Sequence, residues 1–264
     1  MLTMEHVSKT FNPGTINEKK AIVDLNLTLE EGEFVTVIGG NGAGKSTIQN
    51  LVCGAYPPDE GKITLNGVDV TRWPEHKRAR LLGRVFQDPM MGTAADMGIE
   101  ENLAMAYRRG KRRGLGWGIS NKERELFRET LREFDLGLEG RLSAKVGLLS
   151  GGQRQALTLV MATLQKPKLL LLDEHTAALD PKTAAKVLEM TEKIILAEGL
   201  TTMMVTHNMR DAIHHGNRLI MMYEGRIIYD VRGEEKKSLT VEDLLHKFEQ
   251  VSGGEFANDR MLLS

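Results

Sequence analysis

The stretch FVTVIGGNGAGKST, residues 34–47, constrains this chain more than any other. Its first six residues form a continuous apolar run ending at glycine, the pattern of a strand buried on both faces. KSTIQNLVCG then has helical spacing and stops at Gly54. Between strand and helix, Gly39, Gly40, Asn41, Gly42, Ala43, Gly44, Lys45, Ser46 and Thr47 match G-x-x-x-x-G-K-[ST] in its required setting. Glycines let the backbone wrap a phosphate chain with no Cβ in the way, and successive N–H groups at a helix start form an anion nest. Lys45 suits the β- and γ-phosphates of a nucleotide, and the Ser46 hydroxyl suits a magnesium ion.

The signal of a parallel sheet returns after Pro167. LLLLD at 169–173 and TTMMVT at 201–206 read as buried strands with the helix KTAAKVLEMTEKIILAEG between them, a βαβ unit. The chain opens differently. Residues 2–7 and 22–29 alternate apolar and polar, as half-buried antiparallel strands do, around the polar loop FNPGTINEKK. PPDEG at 57–61 is a turn, and KITLNGVDV reads as another short strand. From about Asp88 to Lys166 the character is helical, and NKERELFRETLREFDL carries the apolar stripe Leu126, Phe127, Leu131 and Phe134. RLIMMYEGRIIYDV reads as a hairpin turning at Glu224–Gly225, and TVEDLLHKFEQV as a C-terminal helix opened by a Thr-x-x-Asp cap. The expected class is α/β, with a mostly parallel core sheet, an N-terminal antiparallel β subdomain and an inserted α-helical subdomain.

Charge narrows the partners. Across 264 residues, 35 Lys and Arg nearly balance 36 Asp and Glu, so no global charge argues for nucleic acid. A single cysteine, Cys53, excludes an internal disulfide framework and suits a reducing cytosol. MLTMEHVSKTF lacks the apolar core of a signal peptide, and no apolar run approaches the roughly 20 residues that span a bilayer. A membrane role would need another chain for its membrane part. RRGKRRGLGWGIS at 108–120 reads equally as a solvated loop and as a contact for a partner or lipid headgroups.

Other residues carry chemistry. LLLLDE sets Asp173 and Glu174 at the C-terminal end of a buried strand, where ligands of open α/β sheets sit. Asp173 suits magnesium, through water, and Glu174 suits orienting or deprotonating an attacking water. Taken alone, the pair also reads as a strand leaving the core. His207 ends the next buried strand, where it is either structural or close to the same phosphate. His214 and His215 read as surface residues. Gln87, in VFQDP, is a residue type that ligates magnesium or positions water without adding charge. Phe11, just after the first strand, either stacks on a base or packs in the core. LLSGGQRQA at 148–156 puts a serine and two glycines at the mouth of a helical run, a second candidate anion site.

Together these motifs resemble the nucleotide-binding subunit of ATP-binding-cassette (ABC) transporters, over about residues 2–240. GGNGAGKST resembles the Walker A motif of that family, VFQDP its Q-loop, LSGGQ its signature and LLLLDE its Walker B. TAALD resembles the D-loop, His207 the switch histidine, and VSKTF the segment with the adenine-stacking aromatic. His175 stands where many relatives have proline. The resemblance implies a P-loop ATPase domain over 2–240, with a helical signature subdomain at about 88–166 and a C-terminal helix and tail at 241–264. It implies ATP and Mg²⁺, with Glu174, His207 and Gln87 catalytic, and Ser46, Gln87 and Asp173 toward the metal. Phe11, residues 39–47, Ser150, Gly151, Gly152, Gln153 and Asp180 would bind nucleotide. Two copies would pack head to tail, so that Ser150, Gly151 and Gly152 of one cap the γ-phosphate held by Lys45 of the other. That arrangement would explain two phosphate motifs in one chain. Separate membrane permease chains would dock near Gln87 on the cytoplasmic face, with an external solute-binding protein as an indirect partner and a small solute such as an amino acid as cargo. The alternative is a soluble ABC ATPase of the iron–sulfur-assembly type.

Overall fold

The computed structural model describes residues 1–111, 118–134 and 136–252. In chain order the first elements are β1 (Leu2–Phe11), β2 (Lys19–Leu29), β3 (Phe34–Gly39), α1 (Lys45–Cys53), β4 (Glu60–Leu65), β5 (Val68–Asp69), α2 (Glu75–Arg78) and β6 (Leu82–Val85). Then come α3 (Ile99–Tyr107), α4 (Asn121–Glu133), a 3-10 turn at Val146–Leu148, α5 (Gly151–Thr163), β7 (Leu169–Asp173) and α6 (Pro181–Glu198). The chain continues with β8 (Thr201–Val205), α7 (Met209–His214), β9 (Arg218–Tyr223), β10 (Arg226–Arg232), α8 (Gly233–Lys237) and α9 (Val241–Ser252). Two compact units result: Met1–Arg78 with Leu200–Ser264, and Ala79–Gly199.

In the first unit β3 lies between β9 and β8, parallel to both, and β10 pairs antiparallel with β9. All six residues of β3 are buried, as an unbroken apolar run in a covered parallel sheet demands. A separate antiparallel sheet runs β2-β1-β4-β5. Its strands are longer than the alternation predicts. β1 runs on to Phe11 and β2 starts at Lys19, because bulges interrupt the alternation without ending the pairing. His6 (φ 50°) and Asp24 (φ 48°) take left-handed backbone there. Phe11 is therefore the last residue of β1, directly across from Lys19, and does not lie beyond the strand. KITLNGVDV likewise holds two strands, β4 and β5, folded at Asn66 (φ 49°) and Gly67 (φ 77°). Positive φ at both central residues is what a tight hairpin turn requires.

His215 is a correction to the surface reading, since it is only 8% exposed. Its ring meets His214 edge to face at 5.0 Å, and its carbonyl accepts a hydrogen bond from the buried Lys236 ammonium. The turn at Gly216 draws it inward, pressed so close to Phe34 that a Cβ at Gly216 would come within 2.3 Å of the Phe34 carbonyl oxygen. α9 docks through Leu244 and Phe248 on a core that includes Ile38, Met209, Leu219 and Met221. Thr240 and Asp243 exchange hydrogen bonds at its start, the cap expected from Thr-x-x-Asp.

The second unit pairs β6 with β7 in parallel and builds a helical core from Ile99, Leu103, Phe127, Leu131, Leu157 and Val160. Arg108–Glu123 and Arg124–Glu100 ion pairs tie α3 to α4. Of the basic glycine-rich segment, residues 112–117 lie outside the described residues, as does the tail 253–264. Among the described residues no helix is long and apolar enough to cross a membrane.

Candidate functional site

In the first unit the phosphate loop leaves the buried end of β3 and closes at the start of α1. Gly39 is obligatory by contact, because a Cβ there would lie 2.3 Å from the Met222 carbonyl oxygen. Gly44, with φ 104°, is the residue before α1, and a Cβ on it would meet the Ala21 carbonyl oxygen at 2.6 Å. The loop is braced from outside: the Gly225 N–H donates to Ala43 O (3.0 Å), and the Val23 N–H donates to Gly225 O (3.0 Å). Lys45 is buried, and its ammonium donates to Gly39 O at 2.7 Å and Gly40 O at 3.2 Å. Asn41, Gly42 and Ser46 are exposed. No side chain caps the N-terminus of α1, and its first turn holds no acidic residue. A helix start of that kind favours an incoming anion.

Strand register sets His207 beside this loop. Val37 pairs with Val205, and the Thr206 N–H donates to Val37 O at 3.1 Å, so His207 and Gly39 each lie two residues past paired positions. His207 is exposed. Asn208 next to it caps α7, its side-chain oxygen accepting from the N–H groups of Arg210 and Asp211. Burial raises the pKa of Asp211, against the opposing pull of His215, His207 and His214. Phe11 meets Tyr56 edge to face at 5.1 Å, and Lys9 Nζ stands 5.8 Å from the Phe11 ring centre.

The second unit repeats the register argument. Val85 pairs with Leu172, so Gln87 and Glu174 each follow paired positions by two residues at one end of the parallel pair. Gln87 is exposed, while Asp173 and Glu174 are half-buried. Glu174 has φ 43°, a left-handed backbone that costs a residue with a Cβ roughly 1–2 kcal/mol. Such an outlier beside a strand end is a pointer to function. Arg84, one strand over, reaches Asp173 with 3.7 Å between Nη2 and Oδ2 and stacks on Phe86 at 4.6 Å. His175 points inward, 2% exposed, with Nε2 3.1 Å from the Thr191 hydroxyl.

The signature segment lies at the joint of α5 and α6. Ser150 caps α5: its hydroxyl accepts from the Gln153 N–H, and the Gln153 side-chain oxygen accepts from the Ser150 N–H. Ser150 and Gly151 are exposed. A Cβ on Gly152 would come within 2.2 Å of Thr183 Cγ2, so this glycine lets the two helix starts approach. Asp180 caps α6, accepting from the Thr183 N–H at 3.1 Å, and hydrogen bonding from the Thr183 side chain first, then from its N–H, lowers its pKa. Sequence reading misses Arg84, Tyr56 and Lys19. Only the charge of Arg84 inside the otherwise uncharged run LGRVF could have drawn attention to the first.

In the first unit Ser46 offers a hydroxyl, and in the second Gln87 offers an amide oxygen and Asp173 a carboxylate, each a hard oxygen donor of the kind that suits Mg²⁺. Among the described residues no group of three or more His, Cys, Asp or Glu is placed to hold a metal alone.

The family described as "ABC transporter" matches residues 22–177. The tyrosine transport ATP-binding protein of Clostridioides difficile (strain R20291) is 46% identical over 250 residues, 94% of this chain and 99% of that protein. The spermidine/putrescine import ATP-binding protein PotA of Haemophilus influenzae is 34% identical over 231 residues, 87% of this chain but only 57% of its own length. The chain thus spans little more than half of that longer relative. Among solved structures, the dimeric ATP-binding cassette MJ0796 in a post-hydrolysis state bound to ADP and Pi aligns at TM-score 0.74 and 28% identity. It covers 88% of this chain and 98% of that one. The ADP conformation of MJ1267, a cassette of an ABC transporter, aligns at 0.76 and 27%, over 94% and 98%.

Proposed function

The chain belongs to the ABC transporter ATP-binding family, an α/β P-loop fold whose ATP hydrolysis is coupled to transport, and from that premise we propose that it powers the import of an amino-acid-type solute. The observation that carries the solute class is the 46% identity, end to end, with a tyrosine transport ATP-binding protein. The domain under this reading is 2–240, with a helical signature part at about 88–166 and the α9 segment following.

The residues divide the work. The loop 39–47 and Lys45 hold the phosphates, with Phe11 supporting the base. Glu174 orients the attacking water and takes its proton, and Gln87 and His207 position the water and the γ-phosphate. Ser46, Asp173 and Gln87 would hold Mg²⁺, which when bound neutralises charge on the β- and γ-phosphates. Ser150, Gly151, Gly152, Gln153 and Asp180 act in trans on the nucleotide of a second copy. The dimeric MJ0796 cassette supports that arrangement. Separate permease chains would supply the membrane passage, with this subunit peripheral on the cytoplasmic face and a solute-binding protein outside.

Glu174→Gln should abolish steady-state hydrolysis while leaving ATP binding, and should run as a dimer in size-exclusion chromatography only when ATP is present. Turnover at the wild-type rate would remove Glu174 from its role. Cells lacking this chain should lose uptake of labelled tyrosine or a chemically similar amino acid. Unchanged uptake of the aromatic amino acids would overturn the solute class and leave the ATPase assignment standing.

A further inference from the structure

The nucleotide reading assigns one ammonium, Lys45, to the phosphates. The same loop has a second. A Cβ built on Gly42 would lie 2.8 Å from Lys19 Nζ and 3.8 Å from its Cε, so the Lys19 head group rests against the phosphate loop. Lys19 opens β2, directly across the ladder from Phe11, and directly opposed residues of an antiparallel pair share a face of the sheet. Two residues further along β2, the Ala21 carbonyl packs against Gly44 of the same loop. Lys19 is thus held through its backbone in the strand pair that carries the aromatic Phe11–Tyr56 contact, and its head group stands beside Gly42.

The two lysines differ in what they already hold. The Lys45 ammonium is buried on the carbonyls of Gly39 and Gly40. The Lys19 side chain is exposed, and among the described residues it has no hydrogen bond or ion pair. No carboxylate accounts for its position. The loop gives no electrostatic reason for a cation either, since backbone N–H groups at a helix start present positive partial charge. A cation and a positive nest side by side become mutually favourable only when an anion lies between them.

We propose that Lys19 is a further nucleotide-binding residue, a second ammonium that grips the phosphate chain at Gly42 from the strand paired with the one that carries Phe11. The proposal rests on the ATP site described above and names a residue that the loop motif does not contain. Its long flexible stem lets the head group close over bound phosphates and withdraw when they leave.

The test is nucleotide binding by the full-length protein, with MgATP as probe, across a salt series. Lys19→Met should weaken MgATP binding about tenfold, the size of one charge-assisted hydrogen bond, and flatten the dependence on salt. Lys19→Arg should restore most of the affinity, and the melting temperature without nucleotide should not move in either variant. Wild-type affinity in Lys19→Met, or a loss that tracks a lowered melting temperature, overturns the assignment. Lys45→Ala run in parallel separates the two readings. If it loses binding while Lys19→Met keeps it, only Lys19 is wrongly placed. If Lys45→Ala binds as wild type, the phosphate-loop reading fails and takes Lys19 with it.

Discussion

Glu174 holds its carboxylate on a backbone that stores energy. At φ 43° it occupies the left-handed region, which asparagine adopts more readily than glutamate or glutamine. Glu174→Asn and Glu174→Gln both remove the charge, so both should lose hydrolysis, yet their stabilities should differ. Asn should exceed Gln by about 0.5–1 kcal/mol in denaturant unfolding, the part of the strain that an αL-tolerant residue relieves. Equal stabilities would mean that the φ at this position costs nothing. Place in the fold was legible at the single-residue level for Lys45, Asp173 and Glu174, because loop and strand-end motifs are local. The inward turn of His215 was not, because its burial depends on Gly216 meeting Phe34 far away in sequence.

Among the elements, the joint between α5 and α6 is the most constrained. Gly152 and Thr183 occupy one space, with 2.2 Å between a built Cβ and Thr183 Cγ2. Gly152→Ala should therefore cost about 1–3 kcal/mol of stability by overpacking. Adding Thr183→Ser removes the offending methyl, while the hydroxyl and the backbone N–H of residue 183 still serve Asp180, so the double variant should recover most of the loss. A double-mutant cycle from urea unfolding measures this. Additive costs would show that the two side chains do not compete. The core strands were readable from near-continuous runs of residues suited to burial, not from alternation, as β3, β7 and β8 show. The antiparallel strands β1 and β2 were read short because their bulges shift the alternation partway along.

For the whole molecule, the decisive question is whether one polypeptide owns a complete active centre. Ser150 serves its own chain as a helix cap, yet it is exposed, so the cap is compatible with the role we propose for it toward a second copy. Ser150→Asp keeps the cap, since aspartate caps as well as serine, but sets a negative charge where a γ-phosphate would approach. Ser150→Asp and Lys45→Ala should each be inactive alone. Mixed, they form heterodimers with one intact loop facing one intact signature, so ATPase activity should reappear and rise with the mixing ratio to a maximum near equal amounts. A mixture as inactive as its parts would exclude the shared site. By itself the sequence determined the phosphate loop, the acidic strand end, the signature and the α/β class, because each is written in a short run of neighbours whose backbone preferences are local. Only the tertiary structure decided which distant residues join them. Lys19 against Gly42, Arg84 against Asp173, His175 against Thr191 and Thr183 against Gly152 all follow from strand register and helix packing. Those contacts close long loops of chain, and no local pattern of residue types encodes where such loops will meet.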